Sequence, residues 1–299
     1  MSGRALLILS SVAIALLAVT LLSPAMSRPG PPRNVPLSPN IPDAFQQPSL
    51  ARGPAGSGRL AAAYHNGNEL DTCWVSTSAD DGRTWRSRAL VGEDARFPLP
   101  KDAYCWHPSV AYGPDGTLYY VFQDGFFFGE GGRRVLMAVS RDGGRSFAKP
   151  RPLLVPSDTN QFWPSVGVDQ RTGRVYVSWT HAFFRGSPNS GGPVEVLHSD
   201  DRGRTFSPPR AVSLLPQMAA GSFLSVGPDG TVYVAYLDET AFPVPAHEQF
   251  SAQLVVAASD DGGETFVNTP VDRVAIGATS NQFDELHSDG PFRLHTIAA

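Results

Sequence analysis

The chain has 299 residues, of which 29 are glycine and 27 are proline, and 17% of its residues are charged. This turn-rich composition is typical of β proteins and argues against a mainly helical fold. The formal net charge of −4 and the lack of a basic stripe argue against nucleic acid as a partner.

The first residues of the chain predict export. Arg4 gives a short positive start, residues 5–22 are apolar, and small residues precede position 28, as expected for a signal peptide over residues 1–27. The apolar run is also about long enough to span a bilayer, so an uncleaved membrane anchor is the alternative. A proline-rich linker follows over residues 28–45. We therefore expect a secreted or cell-surface protein.

Beyond the linker, one pattern of eight residues occurs four times. The copies read SADDGRTW, SRDGGRSF, SDDRGRTF and SDDGGETF, and they begin at Ser78, Ser140, Ser199 and Ser259. Each unit also has two short runs of β-branched and aromatic residues around a glycine turn, a third run before the octapeptide and a fourth run after it. Four strands in about 60 residues correspond to one propeller blade.

The repeat predicts an all-β propeller of four-stranded antiparallel blades. Four full blades are expected at about residues 46–91, 105–155, 162–212 and 218–271. The sequence Thr279-Ser-Asn-Gln-Phe283 is similar to Thr159-Asn-Gln-Phe162, which introduces the third blade, so a partial fifth unit is expected over residues 279–299. Either this unit supplies a closing strand, or the chain is a shortened form of a longer ancestor.

The octapeptides suit tight turns between the third and fourth strands of each blade. An aspartate can accept backbone N–H bonds within its own turn, and the glycine can adopt a positive φ. With four copies in register, the pattern resembles the Asp box, or bacterial neuraminidase repeat, of sialidase-like β-propellers. We interpret its aspartates as structural groups and not as catalytic groups or metal ligands: Asp80, Asp142, Asp201 and Asp261.

Ligand-binding residues are expected at the end of the blades opposite the octapeptides. The long connections lie there, and functional groups concentrate on loops that a rigid scaffold supports. Aromatic faces with polar neighbours suit sugar rings, so a carbohydrate or cell-surface polymer is the expected partner. The candidates on these connections are His65, Asp124, Glu130, His181, Arg185, Asp238 and Glu239. The candidates at the blade starts, which are expected to ring a central channel, are Gln47, His107, Trp163 and Ser222.

Cys73 and Cys105 are the only cysteines, and in an exported protein they predict one disulfide near the expected ligand-binding end. Two free or buried thiols are the alternative. The histidines at positions 65, 107 and 181 lack metal-ligand spacing. No metal and no other cofactor is therefore expected.

The resemblance to sialidases implies more than the fold, but this chain departs from the family pattern. Sialidases are six-bladed, cleave terminal sialic acid, bind its carboxylate with three arginines, and use a Tyr–Glu nucleophile with an Asp as general acid and base. The first arginine belongs to an Arg-Ile-Pro motif, where this chain has Gln47 before Pro48. A neutral amide cannot form the charge-assisted fork that a carboxylate requires. Asp71, shortly before the first octapeptide, is the candidate catalytic aspartate. The alternative is that Asp71 is an ordinary acidic loop residue without a catalytic role.

Three interpretations follow. The favoured one is an exported sialidase-like propeller that binds glycans or cell-surface polymers without cleaving sialosides. The second is a glycoside hydrolase, either a divergent sialidase or an enzyme with two carboxylates such as Asp71 with Asp124, or Asp238 with Glu239. The third is a protein-interaction platform or a truncated propeller.

Overall fold

Four β-sheets follow one another along the chain. The computed structural model describes Val35 and residues 45–66, 72–92, 94–99, 103–126, 134–154, 161–181, 192–214, 219–238 and 250–276. Within this part of the chain, no helix has the length and apolar character of a membrane span. The predicted signal peptide or anchor, nearly all of the predicted linker and the predicted fifth unit lie outside the described residues.

The first sheet contains β1 (Phe45–Arg52), β2 (Leu60–Asn66), β3 (Cys73–Ser78), β4 (Arg86–Gly92) and the short β5 (Phe97–Pro98). The second contains β6 (Ala103–Tyr112), β7 (Leu118–Phe126), β8 (Arg134–Ser140) and β9 (Arg151–Pro152). The third contains β10 (Gln161–Val168), β11 (Val175–His181), β12 (Val194–Ser199) and β13 (Arg210–Ala211). The fourth contains β14 (Ala219–Val226), β15 (Val232–Asp238), β16 (Phe250–Ser259) and β17 (Val267–Ile276).

Strands that are consecutive in the chain are neighbours in each sheet, and they pair antiparallel. The one additional strand is β5, which pairs parallel with β4 over two residues. The prediction of an all-β chain with four-stranded antiparallel sheets is confirmed.

The cores lie between successive sheets. One cluster of buried residues joins the first sheet to the second, another joins the second to the third, and a further one joins the third to the fourth. Neighbouring residues of β7 illustrate the arrangement, because Tyr120 packs towards the first sheet and Tyr119 towards the third. Since side chains alternate across a strand, both faces of the inner sheets are buried, and their strands read as nearly continuous apolar runs.

One hydrogen bond is repeated at all three sheet boundaries. Ser49 Oγ accepts the backbone N–H of Val110 at 3.2 Å. Ser109 Oγ accepts that of Val166 at 3.2 Å, and Ser165 Oγ accepts that of Leu224 at 3.0 Å. A serine on the first strand of each of the first three sheets therefore satisfies a backbone donor on the first strand of the next sheet.

Each octapeptide forms a turn that its own side chains close. In the second turn, Asp142 accepts hydrogen bonds from Ser140 Oγ at 2.8 Å and from the backbone and hydroxyl groups of Ser146 at 2.9 and 2.6 Å. Ser140 Oγ accepts the N–H of Gly144 at 2.7 Å, and this glycine has a φ of 96°. The same four bonds occur in the other three turns.

These bonds change the acidity of the turn aspartates. Burial raises the pKa of Asp142, but the hydrogen bonds from Ser146 and Ser140 outweigh it and lower this pKa to about 2. The pKa of Asp80 is also lowered to about 2, chiefly by the hydroxyl and backbone groups of Thr84. The carboxylates are therefore ionised acceptors that hold each turn together.

Three of the turns are each contacted by an arginine from the preceding sheet. Arg88 donates to the carbonyl groups of Gly144 and Arg145 and lies over the ring of Phe147, with its guanidinium carbon 5.4 Å from the ring centroid. At the third turn Arg151 lies over the ring of Phe206, and at the fourth turn Arg174 donates to the carbonyl of Gly262. The turns thus connect adjacent sheets as well as the strands of one sheet.

Asp142→Asn should lower the free energy of unfolding at pH 7 by about 1 kcal/mol, because charge-assisted hydrogen bonds within the turn are lost. The folded-state pKa of Asp142 lies below the unfolded value of about 3.9. Its contribution is therefore complete above about pH 4 and is lost as the pH falls towards 2. In urea unfolding experiments, the difference in the free energy of unfolding between Asp142→Asn and wild type should shrink as the pH falls across this range. Asp260→Asn, which removes an exposed charge from the fourth turn, is the control, and an equal effect there would contradict the role of Asp142.

Candidate functional site

A β-bulge interrupts the first strand of every sheet near the same end. The pairing register shifts after Gln46, Trp106, Phe162 and Ala220, and in each case it resumes three residues later. The bulged residues have left-handed φ values of 51° at Gln47, 49° at His107, 49° at Trp163 and 71° at Gly221. This conformation costs a residue other than glycine on the order of 1 kcal/mol. Bulges re-aim side chains and are frequent beside functional sites.

The bulges of successive sheets contact each other. Gln47 Oε1 accepts the backbone N–H of His107 at 3.1 Å. The His107 ring meets the Trp163 ring edge to face, with centroids 5.9 Å apart. Ser222 Oγ then donates to the carbonyl of Trp163 at 2.8 Å. We call Gln47, His107, Trp163 and Ser222 the bulge row; it consists of the four residues that the sequence places at the blade starts.

Further aromatic side chains extend the bulge row. Trp106 stands 6.0 Å from His107, 4.4 Å from Tyr104 and 6.3 Å from His65, measured between ring centroids. Phe162 stands 5.6 Å from Trp163. The sequence analysis selected His65 but missed Tyr104 and Trp106, although the pattern Tyr-Cys-Trp immediately before His107 places both on one side of β6.

The bulge row lies at the end of the sheets opposite the octapeptide turns. In the first sheet, Gln46 pairs with His65 and His65 with Cys73, whereas Arg52 pairs with Leu60 at the other end. Leu60 in turn pairs with Ser78, where the first octapeptide begins. The end that carries the bulge row is called the loop end below, because the connections from second to third strands leave there.

A buried polar layer lies at the loop end. His65, Gln123 and Thr180 occupy equivalent places in the second strands and are almost completely buried. Among the described residues, neither amide atom of Gln123 nor the hydroxyl of Thr180 has a hydrogen-bond partner. An unpaired buried polar group costs about 1–3 kcal/mol, so such groups call for water or for a polar ligand.

The second strands end in a set of polar residues with the same register: Asn66, Asp124, His181 and Asp238. The sequence analysis placed the last three on loops, but they are strand residues, because β7, β11 and β15 continue to pair up to or beyond them. Asp124, for example, pairs with both Cys105 and Arg134. Asn66, which was not among the candidates, accepts the N–H of Thr72 at 2.7 Å.

Asp124 and Arg134 form a bidentate ion pair. Arg134 donates through Nε to Asp124 Oδ1 at 3.0 Å and through Nη2 to Oδ2. The Asp124 side chain is buried, whereas that of Arg134 is 40% exposed. Burial raises the pKa of Asp124 above its ordinary value even though the guanidinium opposes the shift. This arginine is therefore occupied by a carboxylate of its own sheet.

His181 belongs to a separate group at the loop end. Its Nδ1 lies 3.4 Å from Glu195 Oε2, and the same oxygen accepts a hydrogen bond from Trp179 Nε1 at 3.0 Å. Asp238 is buried at the end of β15. The structure does not bring either residue into the aromatic contacts of the bulge row among the described residues.

Four candidates lie outside the described residues: Asp71, Glu130, Arg185 and Glu239. In the part of the chain that the structure describes, no group of three or more His, Cys, Asp or Glu residues could hold a metal ion.

A disulfide joins Cys73 of β3 to Cys105 of β6. Cys73 pairs with His65, and Cys105 pairs with Asp124. The bridge thus links the first and second sheets at the loop end, where the sequence analysis placed it.

No family model matches the chain, and no curated protein sequence is similar to it. In structure, the chain is similar to a protein of unknown function from Dyadobacter fermentans, with 19% identity, a TM-score of 0.57 and coverage of 77% of this chain and 70% of that one. It is also similar to the intramolecular trans-sialidase from Ruminococcus gnavus, with 12% identity, a TM-score of 0.54 and coverage of 78% of this chain and 73% of that one. The NanB sialidase from Streptococcus pneumoniae is 12% identical with a TM-score of 0.56, and the match covers 80% of this chain and 53% of that one. The fold is therefore a sialidase-like β-propeller.

Arg134→Gln should lower the free energy of unfolding at pH 7 by about 2 kcal/mol, because it leaves the buried Asp124 carboxylate without its partner. The pKa of Asp124 should rise further in the variant, so the loss of stability should shrink as the pH falls and the carboxylate takes up a proton. Urea unfolding between pH 7 and pH 5 measures both effects. Arg210→Gln, which breaks the exposed pair with Glu264, is the matched control and should cost at most about 1 kcal/mol.

Proposed function

We propose that this chain is an exported β-propeller that binds glycans or other cell-surface polymers through its loop end, without sialidase activity. In this proposal the four sheets are four blades, and residues 279–299 begin a fifth. Export is inferred from the signal-peptide pattern of residues 1–27. Fold alone does not define activity, so the proposal depends on the chemistry of the loop end.

The bulge row is the observation that carries the proposal. It brings an amide, an imidazole and an indole into one continuous series, and Trp106 and Phe162 add two more aromatic faces. The C–H faces of a sugar ring stack on aromatic side chains, while its hydroxyl groups need amide and imidazole partners. Three strained residues at equivalent bulges also favour a functional reason for their placement.

The bulge row lacks the charge that sialic acid needs. The four bulge positions with a left-handed backbone carry an amide, an imidazole, an indole and a glycine. A sialoside carboxylate requires cationic donors, and Gln47 stands where the sialidase resemblance expects the first arginine. The guanidinium of Arg134 is already bound to Asp124. A ligand with neutral hydroxyl groups fits this set of side chains better than an acidic one.

A glycoside hydrolase is the second candidate, because one observation favours it. Burial raises the pKa of Asp124, and a raised pKa is typical of carboxyl groups that act as catalytic acids. Its ion pair with Arg134 opposes this role, since the guanidinium stabilises the ionised carboxylate. The binding proposal therefore remains the stronger one.

Trp163→Ala should weaken glycan binding at least about tenfold, because a stacking surface at the centre of the bulge row is lost. A glycan array on the purified wild-type protein identifies the ligand, and titration calorimetry then compares the variants. Trp85→Ala, at the octapeptide end, is the control and should leave the affinity unchanged. An array without any signal, or equal effects of the two substitutions, would contradict the binding proposal.

A panel of fluorogenic sialosides and neutral glycosides separates binding from hydrolysis. The binding proposal expects no turnover from wild type. Turnover that is lost in Asp71→Ala or in Asp124→Asn would replace it with the hydrolase candidate, and the substrate that is cleaved would show whether that enzyme is a sialidase.

A further inference from the structure

The second octapeptide turn, residues 140–147, brings together arginines from two sheets. The turn itself carries Arg141 and Arg145, and both are exposed. Arg88 of the first sheet donates to the carbonyl groups of Gly144 and Arg145 in the same turn. Positive charge is therefore concentrated on a small part of the octapeptide end, where the first and second sheets meet.

Two further arginines from the first part of the chain extend this group. The guanidinium of Arg59, in the turn between β1 and β2, lies so close to Gly143 that a Cβ atom on this glycine would come within 2.9 Å of Arg59 Cζ. Arg96, between β4 and β5, lies near Arg88. Burial lowers the pKa of Arg88, Asp142 opposes this shift, and the positive charge of Arg96 adds to it. The following residues are called the arginine cluster below: Arg59, Arg88, Arg96, Arg141 and Arg145.

The arginine cluster lacks carboxylate partners. Among the described residues, none of its members forms an ion pair with an aspartate or a glutamate. Asp142, the acid of this turn, already accepts hydrogen bonds from Ser140 and Ser146. Four arginines of the third sheet, by contrast, each pair with a carboxylate: Arg171, Arg174, Arg202 and Arg210.

The positive charge is a local feature of the second turn. The fourth octapeptide contains Asp260, Asp261 and Glu264 and no arginine, and Asp229 lies in the turn between β14 and β15. The chain as a whole has a formal net charge of −4. The arginine cluster therefore does not follow from the overall composition, and the octapeptide end changes from basic to acidic between the second and the fourth sheets.

Guanidinium groups that are fixed on one surface suit ligands with oxyanion groups. Sulfate and phosphate accept paired N–H donors from arginine. Contacts with the turn hold Arg59 and Arg88 in place, so these side chains lose little entropy on binding. The second sheet has no exposed large apolar side chain that could insert into a membrane. The net charge of −4 disfavours nucleic acid, and a polysaccharide with oxyanion groups fits the surface better.

We propose that the arginine cluster binds the sulfate or phosphate groups of an anionic polysaccharide. This site lies at the octapeptide end, whereas the bulge row lies at the loop end, so the proposal does not depend on the glycan binding proposed above. A bound oxyanion would supply the counter-charge that the cluster lacks and would reduce the repulsion between Arg88 and Arg96.

Titration calorimetry with a heparin oligosaccharide and with linear inorganic polyphosphate tests this site. Wild type should bind at least one of these probes, and the affinity should fall about tenfold when the salt concentration rises from about 50 to about 200 mM. Binding of heparin alone would assign sulfate as the recognised group, and binding of polyphosphate alone would assign phosphate.

A pair of double variants locates the binding. Arg141→Gln with Arg145→Gln should weaken it about tenfold or more, because charge-assisted hydrogen bonds are lost. Arg202→Gln with Arg204→Gln removes the same charge from the third turn and should change the affinity less than about twofold, because salt screens charges at that separation. Trp163→Ala should leave the binding of both probes unchanged. An unchanged melting temperature shows that each variant is folded.

Three results would overturn the proposal. One is the absence of binding of both probes to folded wild type at low salt. Another is an equal loss of affinity in the two double variants. The third is tighter binding of duplex DNA, or of vesicles that contain anionic lipids, than of either probe; nucleic acid or a membrane would then be the ligand of the arginine cluster.

Discussion

Face-to-face packing of sheets is the constraint on which the rest of the structure depends. A four-stranded sheet with two apolar faces cannot be stable alone, so each sheet needs a neighbour on either side. The hydrogen bonds of the serines at the three boundaries position adjacent sheets. In each of them, the serine hydroxyl on the first strand of one sheet accepts a backbone N–H from the first strand of the next sheet. The fourth sheet also carries exposed apolar residues on its outer face, namely Phe223, Tyr233 and Val267.

The octapeptide end and the loop end of the sheets differ in how their polar groups are hydrogen-bonded. At the octapeptide end, aspartate, serine and glycine close the turns with local bonds, and arginines such as Arg88 and Arg174 connect a turn to the preceding sheet. At the loop end, by contrast, the backbone is strained at the bulges, and Gln123 and Thr180 are buried without hydrogen-bond partners in the part of the chain that the structure describes. This contrast supports the proposal that the loop end binds a ligand.

The sequence predicted the fold class well because the repeat is a property of local turn chemistry. An octapeptide with Asp and Gly at fixed offsets specifies its own turn, and the strands on both sides are then defined by alternation. The site was predicted less completely. Trp106 and Gln123 read as ordinary strand residues, and only the pairing of β6 with β7 shows that they stand beside the bulge. Strand ends at Asp124 and Asp238 were misjudged, because polar residues at the end of a strand look like loop residues.

The bulges connect the stability of the molecule to its proposed activity. Gly221 shows that the left-handed position can be filled without strain, yet the three preceding sheets use Gln47, His107 and Trp163 there. Each of these costs free energy that glycine would spare, and each places a side chain against the next bulge. In the binding proposal, these residues form a row of side chains held in fixed positions for a ligand, and such a preorganised surface loses little entropy on binding.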